Sequence, residues 1–365
     1  MNKEDRDLCC CEYYDLSNER NHILACLCNC VDLDEAVDNL IKGHQVPEHN
    51  QVGLINTMRD RLRLPWIGGA RQIAFDALLP IFILSLMFLI AANSLWWTVF
   101  AFSTVAMFLS LIFNFLIRAI PKTKFFLVWT ITSIVLLYFI FEFVVIPFLE
   151  ILVEENIFLS VLIFGFVMCL YFTKVRANQL TAVLENEIDL SLNGKDVIGF
   201  YSCKICNTRI PDKDHHCVWF DCCISRQNQG LFMLSLFFAI AALVYSSNLT
   251  LTSVCHPFEF LKTILLPDDC SDVYYQFESF RLGLAFVSAI YSILIASLLW
   301  LLLLQQVILV SLGIPLKDWN KMPFASKLCL GLNTNRPHNR GFFKNWSRIV
   351  WQSAPKYSSL VNRNV

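Results

Sequence analysis

Six stretches of the chain are almost continuously apolar: Ala77–Ala92, Leu95–Ile117, Phe125–Leu149, Asn156–Phe172, Leu231–Leu249 and Leu282–Leu312. A bilayer hydrocarbon core of about 30 Å takes roughly 20 such residues as helix. The first and fourth stretches fall a little short of that length. The pattern predicts six transmembrane helices, with the polar remainder in an N-terminal region, one internal insert and a C-terminal tail.

Lysine and arginine near the span ends set the orientation. Arg59, Arg61, Arg63 and Arg71 precede the first span, Arg118, Lys122 and Lys124 follow the second, and Lys174 and Arg176 follow the fourth. The opposite loops hold Asn93-Ser94, then Glu150, Glu154 and Glu155, then Asp268, Asp269 and Asp272. After the sixth span, Ser311–Val365 carries nine basic residues and one acid, Asp318. Every basic stretch falls on one side, so both termini and the 173–230 insert are expected in the cytosol. The expected division is 1–75 cytosolic, 76–172 with four spans, 173–230 cytosolic, 231–312 with two spans and a lumenal loop, and 313–365 as a basic tail.

Composition agrees with a membrane protein: 56% of the 365 residues are hydrophobic and 16% charged, against about a quarter charged in soluble domains. Mean hydropathy is +0.53. These values exclude a secreted disulfide scaffold, a disordered regulator and a soluble nucleic-acid binder, so no nucleic-acid partner is expected.

The chemistry sits in the insert. Between Cys203 and Cys223 lie five cysteines and two histidines. Cys203-x-x-Cys206 has zinc-knuckle spacing, and His216 with Cys222 or Cys223 can complete a tetrahedron. Asp214-His215-His216-Cys217 holds the parts of an activated thiol. A thiolate is the nucleophile, an imidazole takes its proton, and a carboxylate orients the imidazole. The same seven groups also suit a purely structural metal knuckle. The resulting fold class is an all-α polytopic membrane protein of six transmembrane helices with a small cytosolic zinc-binding cysteine-rich insert.

Asp214-His215-His216-Cys217, followed by Trp219, Cys223, Asn228 and Phe232 and then a span, resembles the DHHC-domain protein S-acyltransferases. Cys9-Cys10-Cys11-Glu12-Tyr13, Asn21-His22, Cys26-Leu27-Cys28-Asn29-Cys30, Asp60-Arg61-Leu62-Arg63 and Asn339–Trp346 resemble the branch holding its twenty-third mammalian member. Val218, where most of the family has proline, points to the same branch. The resemblance implies a palmitoyltransferase in which Cys217 takes a long-chain acyl group from acyl-CoA, with His215 as general base and Asp214 orienting it. It implies zinc ligation by Cys203, Cys206, His216 and Cys223, an acyl cavity between the spans, and client proteins with membrane-proximal cysteines. It also implies residence in the endomembrane system, Golgi or endoplasmic reticulum. The chain departs from the family in lacking a second His-Cys-x-x-Cys-x-x-Cys stretch, a dozen or so residues. It also lacks Thr-Thr-x-Glu after the last span and has Ser225 in place of glycine. One zinc ion is therefore expected in the finger instead of two. The competing reading is a catalytically silent zinc-containing adaptor.

Outside the insert, Cys9, Cys10, Cys11, His22, Cys26, Cys28 and Cys30 offer either a second metal site or thiols for S-acylation. Glu142 is an ionisable group within a span, functional or at a helix–helix contact. Asn114 and Gln305-Gln306 are expected to hydrogen-bond between helices. Cys255 and Cys270 share the lumenal loop and are a candidate disulfide. Asn248-Leu249-Thr250 is a glycosylation sequon close to the bilayer, and Thr181–Leu192 reads as a short amphipathic helix closed by Asn193-Gly194.

Overall fold

A computed structural model describes residues 7–15, 17–23, 38–39, 41–42, 60–119, 123–149, 151–188, 200–203, 205–206, 208–260, 264–274, 279–323, 326–327 and 339–350. Cys26, Cys28, Cys30 and the Asn193-Gly194 turn lie outside these residues. The chain forms two compact units, residues 1–84 with 106–129, and residues 85–105 with 130–365.

In the first unit, two small antiparallel hairpins precede the helices. β1 (Glu12–Tyr14) pairs with β2 (Arg20–His22), and β3 (Arg63–Leu64) with β4 (Arg71–Gln72). Asn18 turns the first hairpin with φ +60°, a left-handed conformation that asparagine tolerates better than most residues. Tyr13 is 2% exposed, and the Arg63 guanidinium lies 4.1 Å from its ring centroid.

The apolar stretches form α1 (Phe75–Ala91), α2 (Leu95–Ala119), α3 (Phe125–Ile140), α4 (Val153–Ile188), α5 (Gln229–Val254) and α6 (Ser279–Leu312). Among the described residues, five segments are long and apolar enough to cross a membrane: Leu95–Asn114, Phe125–Val145, Val153–Gln179, Gln229–Val254 and Phe280–Leu312. The first expected span corresponds to the shorter apolar helix Asp76–Ala91, which falls below that length. α3 runs on through a π-helical turn, Phe141–Val145. That turn holds Glu142, whose Oε2 accepts from Asn156 Nδ2 on α4 at 3.3 Å. Glu142 therefore belongs to a helix–helix contact.

At 36 residues and 1.5 Å per residue, α4 is about 54 Å long, well beyond a bilayer core. Thr181–Ile188 continues this helix instead of forming a separate one, because no glycine or proline interrupts Val175–Ile188. α4, α5 and α6 pack side by side. Gln229 Nε2 donates to Gln306 Oε1 between α5 and α6 at 3.3 Å. Asn114, by contrast, is exposed and donates to Ser110 O in its own helix at 2.8 Å. It is not the interhelical partner that its type suggested.

Beyond α5, β9 (His256–Phe260) and β10 (Ile264–Asp269) form a hairpin. Cys255 and Cys270 flank its open end and form a disulfide. The sequon lies inside α5, where Thr250 is buried and donates to Ser246 O at 2.8 Å.

α6 ends in a Schellman turn. Ile314 N donates to Leu309 O at 3.0 Å and Gly313 N to Val310 O at 3.1 Å, while Gly313 takes φ +64°. A Cβ there would come within 2.8 Å of Asn339 Cα. The turn delivers α7 (Leu316–Lys321), and a last helix, α8 (Phe342–Val350), packs on α6.

Candidate active site and metal cluster

Between Phe200 and Ser225 the described residues of the insert form two hairpins. β5 (Phe200–Cys203) pairs with β6 (Thr208–Pro211), and β7 (Lys213–Cys217) with β8 (Cys222–Ser225). Side chains alternate between the faces of a strand, so β7 sends His215 and Cys217 to one face and His216 to the other. Cys223 sits directly across from His216, at the spacing where cross-strand side chains meet. Register shifts between Lys213 and His215, which places a bulge at Asp214. Bulges re-aim side chains, and here the Asp214 carboxylate turns onto its own neighbour.

On the first face, His215 Nδ1 donates to Asp214 Oδ2 at 2.8 Å. The other carboxylate oxygen, Oδ1, accepts the Leu316 N–H from the start of α7 at 2.7 Å. Burial on its own would lower the His215 pKa, but hydrogen bonds to Asp214 and Cys217 outweigh it and push the value up to about 9. Phe232 packs edge-on to the His215 ring at 5.6 Å. Cys217 is 7% exposed and belongs to one apolar cluster with Phe220, Ile224, Phe166 of α4, Phe232 and Leu236 of α5, and Val310 of α6. The thiol therefore caps the interior of three helices.

On the second face, Cys203, Cys206, His216 and Cys223 converge, with all ligand atoms within 4.8 Å of one another. His216 Nδ1 lies 3.9 Å from Cys203 Sγ, 3.4 Å from Cys206 Sγ and 3.5 Å from Cys223 Sγ. Those separations suit the edges of a zinc tetrahedron, about 3.5–3.8 Å for bonds of roughly 2.0–2.3 Å. Cys222 points the other way, into the apolar cluster with Cys217. Burial first, and then Cys217, push its thiol up to about 12. Of the two cysteines that spacing allowed as fourth ligand, only Cys223 joins the group.

Several supporting residues carried no role in the sequence. Asn228, fully buried, accepts from Ser225 N at 2.8 Å and donates to Cys223 O at 3.0 Å and Thr173 O at 3.2 Å. It joins the finger to α4, while its backbone stands at the N-cap position of α5. Asn345 donates to Ser311 O at 3.2 Å and Trp346 Nε1 to Ser311 Oγ at 3.2 Å, pinning α8 to the end of α6. These residues belong to the quoted motifs, but only their long-range partners reveal what they do. Beside Asp214 opens a cavity lined by Lys213, Arg226, Lys317, Val310 and Ile314. Nearby, burial first, and then Arg226 and Arg340, push the Arg348 pKa down to about 10.

A family model described as DHHC palmitoyltransferase matches residues 197–322, the finger together with α5 and α6. The chain is 27% identical to palmitoyltransferase ZDHHC23-B of Danio rerio, over 95% of this chain and 93% of the relative. It is 25% identical to palmitoyltransferase ZDHHC23 of Rattus norvegicus, over 93% and 92%, and 25% identical to ZDHHC23-A of Danio rerio, over 98% and 96%.

Proposed function

We propose that this chain, a member of the DHHC palmitoyltransferases, moves a long-chain acyl group from acyl-CoA to client cysteine thiols through a thioester on Cys217. The observation that carries the reading is the position of Cys217. Its thiol stands beside a carboxylate-held imidazole and also caps the apolar interior of α4, α5 and α6.

In the first step His215 takes the Cys217 proton. The thiolate attacks the acyl carbonyl, the bond from that carbon to the CoA sulfur breaks, and CoA leaves with the proton from His215. In the second step His215 takes the proton of a client thiol, which attacks the Cys217 thioester. Cys217 leaves as thiolate and is reprotonated. Asp214 keeps the imidazole oriented and stabilises its charged form, as carboxylates do in triads. The acyl chain lies among the apolar side chains of the three helices. Lys213 and Lys317 beside Asp214 suit the phosphates of CoA, with Arg226 in the same cavity already paired with Asp212.

Cys203, Cys206, His216 and Cys223 would hold one zinc ion. Three soft thiolates and an imidazole are a structural zinc donor set, and the ion would tie the two hairpins together without touching substrate. Charge asymmetry puts the finger and both termini in the cytosol, with α1 as a sixth, short span and a Golgi or endoplasmic reticulum membrane as the home. The silent-adaptor reading is the less favoured one, because the pairing of Asp214 with His215 beside Cys217 supports catalysis.

The deciding experiment is hydroxylamine-sensitive labelling by a clickable palmitate analogue, in a background with Cys9, Cys10 and Cys11 changed to serine. Cys217→Ser should remove the label. Equal labelling with and without Cys217 would refute the thioester route.

A further inference from the structure

The N-terminal hairpin carries a second sulfur cluster that the reaction does not use. The Sγ atoms of Cys9, Cys10 and Cys11 lie within 4.8 Å of one another. Consecutive side chains converge like this only where the backbone folds back. Here Glu12 N donates to Cys9 O at 3.0 Å and closes a turn just before β1. Neighbouring segments tie down the turn: Trp66 N donates to Cys10 O at 3.1 Å and Ile23 N to Cys11 O at 3.0 Å. The Glu12 carboxylate accepts from Cys9 N at 2.9 Å and from Arg20 at 2.6 Å, so it braces the turn. The backbone is thus committed to holding the shape, while the sulfurs are left clustered at its edge.

A fourth donor arrives by register. β1 and β2 pair with Glu12 opposite His22, which brings His22 Nε2 to 2.8 Å from Cys11 Sγ. Cys9, Cys10 and His22 are solvent-exposed, so an ion can enter without opening a core. A tetrahedral zinc ion needs thiolate–imidazole separations of about 3.5 Å; His22 stands against Cys11 while the three sulfurs converge as a group of their own, so binding requires the imidazole to turn toward Cys9 and Cys10.

We propose that Cys9, Cys10, Cys11 and His22 form a zinc site separate from the finger. Three thiolates and an imidazole select a soft or borderline ion such as Zn²⁺ over the oxygen-seeking Mg²⁺ or Ca²⁺. The ion would staple the turn before β1 to β2. It would also withdraw three thiols from S-acylation on a chain whose own chemistry is thiol acylation. The proposal is independent of the finger's metal, since it rests on a different set of ligands in a different compact unit.

The test uses the full chain, purified in detergent under reducing conditions. Elemental analysis should find one zinc equivalent less in Cys9→Ser/Cys10→Ser/Cys11→Ser than in the wild type, whatever the finger holds. His22→Ala should surrender that equivalent to a weaker chelator than the wild type does. A second measurement needs no variant: N-ethylmaleimide labelling read by peptide mass spectrometry. Cys9, Cys10 and Cys11 should be protected in zinc-loaded wild type and modified after chelation. Equal zinc in wild type and triple variant would overturn the site, as would equal alkylation with and without zinc. Hydroxylamine-sensitive acyl groups on these three cysteines in the isolated protein would assign them to S-acylation and overturn it too.

Discussion

The two cysteine clusters of this chain are built on different backbones. In the finger, donors come from both hairpins, far apart in sequence, and strand alternation sorts them. His216 faces Cys203, Cys206 and Cys223, whereas His215 and Cys217 face the helices. At the N-terminus three consecutive cysteines share one turn, and register brings His22 against one of them, Cys11. A two-faced strand can carry a metal cluster and a nucleophile at adjacent residues without mixing them. A turn offers one edge and therefore one task.

The sharpest way to break this comparison is to cross the two faces of β7. Cys217→Ser should abolish acyl-enzyme labelling while leaving finger zinc unchanged by elemental analysis, because its side chain lies on the helix face. Cys203→Ala or His216→Ala should remove both zinc and labelling, since small metal-bound folds generally depend on the ion. Limited proteolysis near residues 200–225 should report the unfolding. If Cys217→Ser costs the finger its zinc, the two faces are not separate.

A smaller effect is expected from the base. His215→Ala should slow single-turnover acylation by the 10²–10⁴-fold typical of a positioned proton-transfer group, with zinc content and protease resistance retained. Smaller again is the brace behind the finger. Asn228→Ala strips three hydrogen bonds from a buried position. Each buried group left unpaired costs about 1–3 kcal/mol, so the thermal midpoint in detergent should fall. The smallest expected effect is at Asn114. Asn114→Leu should change stability by less than about 0.5 kcal/mol, because that side chain serves only its own helix, whereas Gln306→Leu removes an interhelical bond and should cost measurably more.

The contrast between Asn114 and Gln306 shows where the sequence was legible. Hydrophobic runs specify helices directly, because in hydrocarbon the backbone must pair within its own segment. Which face of a helix meets a neighbour is a tertiary matter, so residue type alone could not separate the two amides. In the finger, the Cys-x-x-Cys spacing and the Asp-His-His-Cys run were readable because each is local. Cys222 and Cys223 were not separable by spacing. The difference is one residue of strand alternation, and it depends on pairing with β7. Likewise nothing near Asp214 in the sequence names Leu316, and nothing near Ser311 names Asn345. Both contacts are made by segments that meet only after the spans have packed. The polar stretch from Thr181 reads as a helix of its own, whereas Val153–Ile188 is one continuous helix, because the polar switch at Lys174 changes composition without supplying a glycine or proline to end it.

The Leu316 N–H that binds Asp214 lies just past the final span, a hundred or so residues after the carboxylate it holds. A ribosome will have released the finger long before that amide exists. Until α6 is inserted and the Gly313 turn has formed, the carboxylate lacks one of its two donors and the imidazole has an unanchored partner. Completing the donor pair on this carboxylate thus waits on a segment that follows the last apolar helix.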